Sequence, residues 1–266
     1  MKLKNILYSS AAIAMAALTT ACSDIDEQDR FQYVKPAAVN RNVLIEDFTG
    51  QNCVYCPNGT EVIDGLIQQY GEEHIIAVGM HSGPLGFKGN DRFVGLKTDV
   101  ADTYFNFFGV KSQPTATINR STTSSDYTKW GSIVAPELEK TAKLNLDIEN
   151  SYDETTRKLT VAVTALGTDG DTNGKLTVWL TEDGVTAYQR MLSGYNYQYV
   201  HNHVFRDNVT TAPWGDDITV KEGQKTVKTF SYTIPEGWNA DNLSVVAFVN
   251  GQDNRNVEQV AKRKVK

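Results

Sequence analysis

A pair of cysteines, Cys53 and Cys56, constrains the fold most, because it stands where an apolar strand turns into a helix. Residues 42–48 ("NVLIEDF") are apolar and partly β-branched, as in a buried strand. Pro57 then stands just inside a helix whose apolar residues recur at helical spacing: Val62, Ile63, Leu66, Ile67 and Tyr70. A helix N-terminus favours a thiolate, which is the nucleophile of disulfide exchange.

The first 21 residues read as an export signal. A short basic segment precedes the apolar "ILYSSAAIAMAAL", which is too short to cross a bilayer. The signal resembles that of bacterial lipoproteins, which implies acylation of Cys22, although Leu18 lies one position further from the cysteine than usual. The alternative is an ordinary secretory peptide that is cleaved after Ala21.

The acidic start of residues 22–38 resembles the signal that sends lipoproteins of Bacteroidetes to the outer face of the outer membrane. We therefore predict an outer-membrane lipid anchor, an acidic tether over 22–38 and display at the cell surface. The alternative orientation faces the periplasm.

Charge and motifs exclude several classes of function. The 266 residues carry a formal net charge of −6 and hold no basic block before "AKRKVK" at the end, so nucleic acid is not an expected partner. The sequence has no serine elbow, phosphate-binding glycine loop or HExxH motif, which argues against hydrolases and transferases. We expect no cofactor.

The cysteine count bears on metal binding. The chain has three cysteines, and lipidation of Cys22 would leave Cys53 and Cys56 as a pair in an oxidising compartment. A structural zinc site needs four ligands, and neither His74 nor His81 has metal-ligand spacing to the pair. We therefore predict no metal at the cysteines.

The first half resembles thioredoxin. Residues 74–81 ("HIIAVGMH") read as a strand and 98–110 as a helix, while 109–119 ("GVKSQPTATIN") enter another strand through a proline. This order, with CxxC on the first helix, is the thioredoxin arrangement. We assign residues 39–141 to a thioredoxin-like α/β domain.

The resemblance implies a role for each site residue. Cys53 would be the more exposed, attacking cysteine, and Cys56 would resolve the mixed disulfide. Asp47, six residues before Cys53, would be the buried acid that manages a proton. Pro114 would follow a cis peptide bond, and the backbone beside Gln113 would face the cysteines and pair with a substrate strand.

Three features depart from the thioredoxin pattern. Asn52 replaces the usual tryptophan, and the dipeptide Val54–Tyr55 contains no histidine. A glycine-rich insert spans 82–96, either as a loop over the cysteines or as a surface decoration. A static disulfide that never turns over is therefore also consistent with the sequence.

The second half, residues 142–266, alternates apolar and polar residues between turn segments, which predicts an antiparallel β-sandwich domain with Ig-like topology. Its segment 192–210 is rich in aromatic residues. On one strand His201 and His203 would point the same way, so we weigh a metal site, a recognition surface and plain packing. The candidate binding residues are Tyr195, Tyr197, Tyr199, His201 and His203.

The segments "TEDGVTAYQR" and "YVHNHVFRD" resemble an outer-membrane lipoprotein family of Bacteroidetes. Its type member is the twenty-eight-kilodalton outer membrane protein, so the chain reads as Omp28-related over its mature length. The resemblance implies an outer-membrane anchor and implies little about chemistry.

Two functions follow from these patterns. The first is an anchored thiol–disulfide oxidoreductase acting on envelope proteins. The second is a non-catalytic surface lipoprotein whose β domain binds a protein or glycan. A fold by itself does not decide between them, and the sequence predicts no oligomeric state.

Overall fold

The computed structural model describes residues 34–266. The predicted signal peptide, the lipidation site Cys22 and the tether up to residue 33 lie outside the described residues. Residues 36–266 form one compact unit.

The first half alternates strands and helices around the cysteine pair. The strand predicted at 42–48 and the helix predicted after Cys56 are both present. The elements are β1 (Val39–Asn40), β2 (Val43–Thr49), α1 (Cys56–Tyr70), β3 (Ile75–His81), α2 (Asp99–Phe107), β4 (Thr115–Ile118), β5 (Thr122–Ser124), a 3₁₀ turn (Tyr127–Lys129) and α3 (Trp130–Leu138).

The second half consists of strands and one 3₁₀ turn (Ala240–Asn242), in agreement with the alternating sequence. The strands are β6 (Thr141–Ala142), β7 (Leu144–Asp153), β8 (Lys158–Gly167), β9 (Thr172–Glu182), β10 (Val185–Met191), β11 (Gly194–His201), β12 (Val204–Asn208), β13 (Asp216–Val220), β14 (Lys225–Thr233), β15 (Leu243–Asn250) and β16 (Val257–Lys264).

One mixed sheet runs through both halves. Its nine strands follow the order β16-β15-β9-β12-β3-β2-β4-β5, with β13 also paired to β9. The junction is β12, which pairs parallel to β3 at Val204 and Gly79 and antiparallel to β9. Strands from both sides of the predicted boundary at residues 141 and 142 are thus hydrogen bonded together. The division into two domains stays a prediction.

Three layers bury this sheet. Helices α1 and α3 cover one face of β2 and β3, whereas α2 and a group of aromatic rings cover the opposite face. The β9 and β15 strands pack against a separate three-stranded sheet of order β14-β8-β7. The chain is therefore α/β in its first half and β-rich in its second, as predicted, while the Ig-like topology stays a prediction.

Strand β2 sends alternate side chains to different cores. Val43 and Ile45 pack with the helices α1 and α3, and Leu44 and Phe48 pack among the aromatic rings. By the same alternation Glu46 enters the aromatic core, whereas Asp47 points to the side of α1.

Glu46 is neutralised there by Arg120, and both side chains are fully buried. The Arg120 guanidinium donates through Nη2 to Glu46 Oε1 at 2.8 Å, and Thr117 Oγ1 donates to Glu46 Oε2 at 2.6 Å. Five rings from both halves of the chain surround the guanidinium at 4.7–6.0 Å: those of Tyr104, Phe108, Trp179, Trp214 and Phe248.

We predict that Arg120→Met destabilises the protein by about 3–5 kcal/mol, because it leaves the Glu46 carboxylate buried without a counter-charge. The double variant Glu46→Leu/Arg120→Met should recover most of this loss, since neither residue is then charged. Urea unfolding followed by far-UV circular dichroism measures both changes. A loss below about 1 kcal/mol for the single variant would show that the pair is dispensable.

Candidate functional site

The cysteine pair lies at the end of β2 and the start of α1, where the sequence predicts it. Cys53 and Cys56 form a disulfide. Helix α1 begins at Cys56, and Pro57 follows inside its first turn. The second cysteine therefore lies at the positive end of the helix dipole.

Both cysteines are buried, each about 1% exposed. The prediction that Cys53 is the more exposed of the two is therefore wrong. The physical reason is the β10–β11 hairpin, a two-stranded sheet of its own that lies on the cysteine turn. The amide of Gln189 on β10 donates to the Cys53 carbonyl oxygen at 2.7 Å.

Neighbouring residues of β10 also hold the hairpin on the cysteine turn. The Arg190 backbone N–H donates to the Gln51 carbonyl oxygen at 2.8 Å, and the Tyr188 hydroxyl donates to Asn52 Oδ1 at 3.1 Å. A register shift between Ala187 and Gln189 interrupts the hairpin ladder here. Because of that irregularity, the consecutive side chains of Tyr188 and Gln189 both contact the cysteine turn.

The glycine-rich insert also packs against this turn, which favours the loop interpretation over the surface decoration. The Asn52 backbone N–H donates to Leu85 O at 3.0 Å. The Gln51 side chain bridges the far end of the insert, accepting from Leu96 N at 2.9 Å and donating to Val94 O at 3.0 Å. The cysteine turn is thus held between the insert and the hairpin.

The Gln113–Pro114 peptide bond is cis, as the resemblance to thioredoxin implies. Pro114 lies against the first turns of α1, since a Cβ placed on Gly59 would come within 3.2 Å of its Cβ. The Gln113 side chain donates to Thr49 O at 2.6 Å and to Ser82 O at 3.0 Å, which ties the proline loop to the ends of β2 and β3.

Asp47 is the buried acid of the site. Its side chain lies opposite Gly79 of β3, which has no side chain to fill the space. Asp47 Oδ1 has no hydrogen-bond partner among residues 34–266. Burial raises the pKa of Asp47 from 3.8 to about 8, so the carboxyl is mostly protonated at pH 7.

Two buried histidines lie on the same side of the sheet. His81 follows Asp47 and Gly79 by strand alternation, and its ring lies 5.2 Å from that of His201. Burial lowers the pKa of His81 to about 3 and that of His201 to about 4, so both are neutral at pH 7. Their Nδ1 and Nε2 atoms, respectively, lack partners within the described chain.

These groups share one cavity of about 30 Å³, large enough for a water molecule. Its lining joins residues of β2, α1 and β3 to the hairpin and the segment after it: Asp47, Thr49, Cys56, Pro57, Thr60, Gly79, His81, Gln189, Tyr199, His201 and Asn202. A protonated carboxyl, a cysteine and two neutral imidazoles therefore meet in one cavity. Such a site can hold a proton beside a sulfur.

His201 and His203 do not point the same way, contrary to the sequence analysis. Strand β11 ends at His201, and His203 adopts a left-handed φ of 55°, so strand alternation does not apply to it. His203 Nδ1 instead lies 3.2 Å from Asp183 Oδ1. Over residues 34–266 no group of three His, Cys, Asp or Glu side chains is arranged to hold a metal ion.

The three candidate tyrosines of β11 separate into two environments. Tyr199 lines the cavity, and burial raises the pKa of its hydroxyl. Tyr195 and Tyr197 are more than half exposed and stack on one another on the outside of the hairpin.

Sequence reasoning missed Gln189 and considered His81 only as a zinc ligand, which its spacing to the cysteines argued against. The alternation Ile75, Ala77, Gly79, His81 does place His81 on the face of Asp47, so this signal was available. Gln189 lies 136 residues beyond Cys53, and no local pattern connects the two.

Comparison with protein families identifies the chain. The family described as "Outer membrane protein Omp28" matches residues 101–266, which is more than half of the sequence. The chain belongs to the Omp28 family. Omp28 membership supports an outer-membrane-associated protein, as the sequence predicts. The matched residues begin after the cysteine pair, so the family match does not bear on its chemistry.

One solved structure shares the fold over most of this chain. HBP35 of Porphyromonas gingivalis superposes with a TM-score of 0.64 at 16% identity, covering 86% of this chain and 77% of that one. A domain of the outer membrane lipoprotein Omp28 from Porphyromonas gingivalis shares 25% identity at a TM-score of 0.36, covering 47% and 89%. No curated protein matches this chain. No helix within residues 34–266 has the length and apolarity to cross a membrane.

We predict that Gln189→Ala accelerates reduction of the Cys53–Cys56 disulfide by up to about tenfold, because it removes a hydrogen bond that holds the hairpin over Cys53. The readout is alkylation of the released thiols during reduction by a water-soluble phosphine, followed by mass spectrometry. Gln198→Ala is the matched control, since Gln198 is exposed on the same hairpin. Equal rates for all three proteins would mean that the hairpin does not limit access.

The raised pKa of Asp47 predicts that the stability of the protein depends on pH. Between about pH 4 and pH 8 the unfolded chain ionises Asp47 while the folded chain keeps it protonated. The free energy of unfolding of the wild type relative to Asp47→Asn should therefore fall by roughly 1.4 kcal/mol per pH unit in this window and level off above it. Urea titrations of both proteins from pH 4.5 to 9 measure the difference. A pH-independent difference would place the pKa of Asp47 near its ordinary value.

Proposed function

We propose that this outer membrane protein, anchored through a lipid on Cys22, catalyses thiol–disulfide exchange with Cys53 and Cys56 on a thioredoxin-like scaffold. The observation that carries the proposal is the shared cavity of Cys56 and Asp47, in which a buried acid holds a proton beside a cysteine. Perturbed acids beside nucleophiles are typical of functional sites.

The strand order supports the scaffold. In the segment β3-β2-β4-β5, strands β2 and β3 are parallel, whereas β4 and β5 are antiparallel to their neighbours. Helix α1 carries the second cysteine at its first residue, and the cis peptide bond precedes β4. These are the positions at which thioredoxin-like proteins carry their cysteines and their cis-proline.

The exchange takes place in two steps, and its electrons balance. A thiolate of a reduced envelope polypeptide attacks Cys53 Sγ, the Cys53–Cys56 bond breaks, and Cys56 leaves as a thiolate that takes the proton of Asp47. A second thiolate of the same polypeptide then attacks the polypeptide's sulfur in the mixed disulfide. A disulfide forms within the polypeptide, and Cys53 is released as a thiolate. The polypeptide loses two electrons, the cysteine pair gains them, and a small disulfide regenerates the pair.

The two histidines leave this proton on Asp47. Neutral imidazoles add no positive charge, so His81 and His201 do not drive ionisation of Asp47 at pH 7. Their unpartnered nitrogens instead offer hydrogen-bonding positions inside the cavity. Asp47 therefore donates its proton as Cys56 leaves, and its carboxylate accepts a proton when the reaction runs in reverse.

The buried sulfurs set a condition for this chemistry, because no external thiol reaches Cys53 while the hairpin covers it. The β10–β11 hairpin forms its own two-stranded sheet, so it lifts without breaking the ladder of the nine-stranded sheet. Local opening of such a unit costs less than global unfolding.

The same burial favours a second candidate, a non-catalytic binding lipoprotein in which the disulfide only staples the turn. The exposed Tyr195 and Tyr197 side chains are the observation on its side, because aromatic residues frequently anchor interfaces. Surface display and the periplasm-facing alternative both stay predictions.

A turnover assay separates the two functions. The protein is mixed at pH 7 with a dithiol peptide and oxidised glutathione, and disulfide formation in the peptide is followed by mass spectrometry. We expect Cys53→Ser to abolish the enhancement over the uncatalysed reaction. Asp47→Asn should slow it by about tenfold or more, since the proton donor is removed.

Asp64→Asn is the matched control, because Asp64 is an exposed acid on the same helix. It should leave the rate unchanged. A wild-type rate no higher than that of Cys53→Ser would reject catalysis and favour the static disulfide.

A further inference from the structure

An aromatic cleft opens beside the cysteine turn, between the insert at 82–96 and the β10–β11 hairpin. Its volume is about 230 Å³. Five rings and two amides line it: those of Phe87, Phe93, Tyr188, Tyr195 and Tyr197, and of Asn52 and Asn90. Neither the insert nor the hairpin builds this cleft alone.

The rings are arranged as a continuous apolar surface. Phe93 and Tyr197 stack with their centroids 5.6 Å apart and their planes at 21°, and Tyr195 continues the stack at 6.1 Å and 22°. Tyr188 forms the inner end, with its ring 5.3 Å from that of Phe87. Phe93, Tyr195 and Tyr197 are 40%, 51% and 55% exposed, so a partner that covers them gains apolar burial.

The polar lining indicates the charge of the partner. No ionised side chain belongs to the lining, which carries only phenol hydroxyls and amides. The Asn90 side chain is occupied by its own turn, where it accepts from the backbone N–H groups of Arg92 and Phe93. An uncharged, largely apolar occupant fits this lining best, because no counter-charge is present to pair with an ion.

The position of the cleft indicates the class of partner. Asn52 lines the cleft and directly precedes Cys53 in the chain. The volume lies below the roughly 300–1,000 Å³ of pockets for drug-sized ligands and suits one or two side chains of a polypeptide. A bound aromatic side chain would therefore place its neighbouring residues next to the reactive pair.

We propose that the aromatic cleft binds an extended, uncharged polypeptide segment through its aromatic side chains and presents an adjacent cysteine to Cys53. This inference deepens the proposed exchange function and rests on it for the cysteine step alone. The bound segment also acts on the hairpin that covers Cys53, because Tyr188 lines the cleft while the next residue, Gln189, donates a hydrogen bond to the Cys53 carbonyl oxygen. A side chain that displaces Tyr188 moves the strand that buries the disulfide.

Binding is tested separately from chemistry. The probe is a fluorescein-labelled hexapeptide with two phenylalanines flanking a serine, which cannot exchange disulfides, and its affinity for the full chain is measured by fluorescence anisotropy. We expect Phe93→Ser and Tyr197→Ser each to weaken binding by about tenfold. Val227→Ser, which alters an equally exposed apolar residue on β14, should bind like the wild type.

A second arm uses an elongated form of this peptide with two cysteines between the phenylalanines, supplied as the dithiol, with oxidised glutathione as the oxidant that regenerates the cysteine pair. Tyr197→Ser should raise KM for this peptide with little change in kcat, whereas Val227→Ser should keep both at the wild-type values. Far-UV circular dichroism and unfolding midpoints verify that the variants are folded. Serine-peptide binding without any exchange would reject the proposed function together with the cysteine step, and would leave peptide binding by the cleft intact.

Three results overturn the cleft proposal. The first is equal peptide affinity for Tyr197→Ser, Val227→Ser and the wild type. The second is tighter binding of a control peptide in which aspartates replace both phenylalanines. The third is binding of a neutral oligosaccharide at the cleft with no binding of the peptide, which would make it a glycan site.

Discussion

The ion pair of Glu46 with Arg120 organises the molecule, because it is fully buried and its aromatic surroundings come from both halves of the chain. A buried charge is tolerated only when it is paired and hydrogen bonded, so the β9 and β15 rings must stay in place around the guanidinium. Strand alternation links this core to the site. With Glu46 fixed in the aromatic core, the next residue, Asp47, is directed to the face of α1, where it meets Cys56.

The nine-stranded sheet explains why the second half of the chain takes part in the site. Strand β12 pairs with both β3 and β9, and the β10–β11 hairpin that precedes it is thereby delivered to the cysteine turn. The hairpin supplies His201 and Tyr199 to the cavity, Gln189 to the cover and Tyr188 to the aromatic cleft. In the proposed function, reactivity, access and recognition therefore depend on one element that lies about 130 to 150 residues beyond the cysteines in the sequence.

Local patterns predicted much of the first half. The apolar run, the helical spacing and Pro57 predicted β2 and α1, because these features depend on neighbouring residues, whereas the cis bond at Pro114 was implied by the resemblance to thioredoxin. The alternating second half correctly predicted strands. The exposure of Cys53 was predicted wrongly, because burial came from a hairpin that no local pattern connects to the turn. The predicted orientation of His203 was wrong, because its left-handed backbone conformation ends the alternation of side chains along the strand.

The central claim is that the buried Cys53–Cys56 pair is reactive rather than a permanent staple. Its equilibrium reduction potential tests this most directly, measured by titrating the full chain against glutathione and dithiothreitol buffers with alkylation of free thiols. The account predicts a potential above about −300 mV, in the range of pairs that exchange with other proteins. A value well below about −300 mV would contradict it and mark the pair as a structural disulfide.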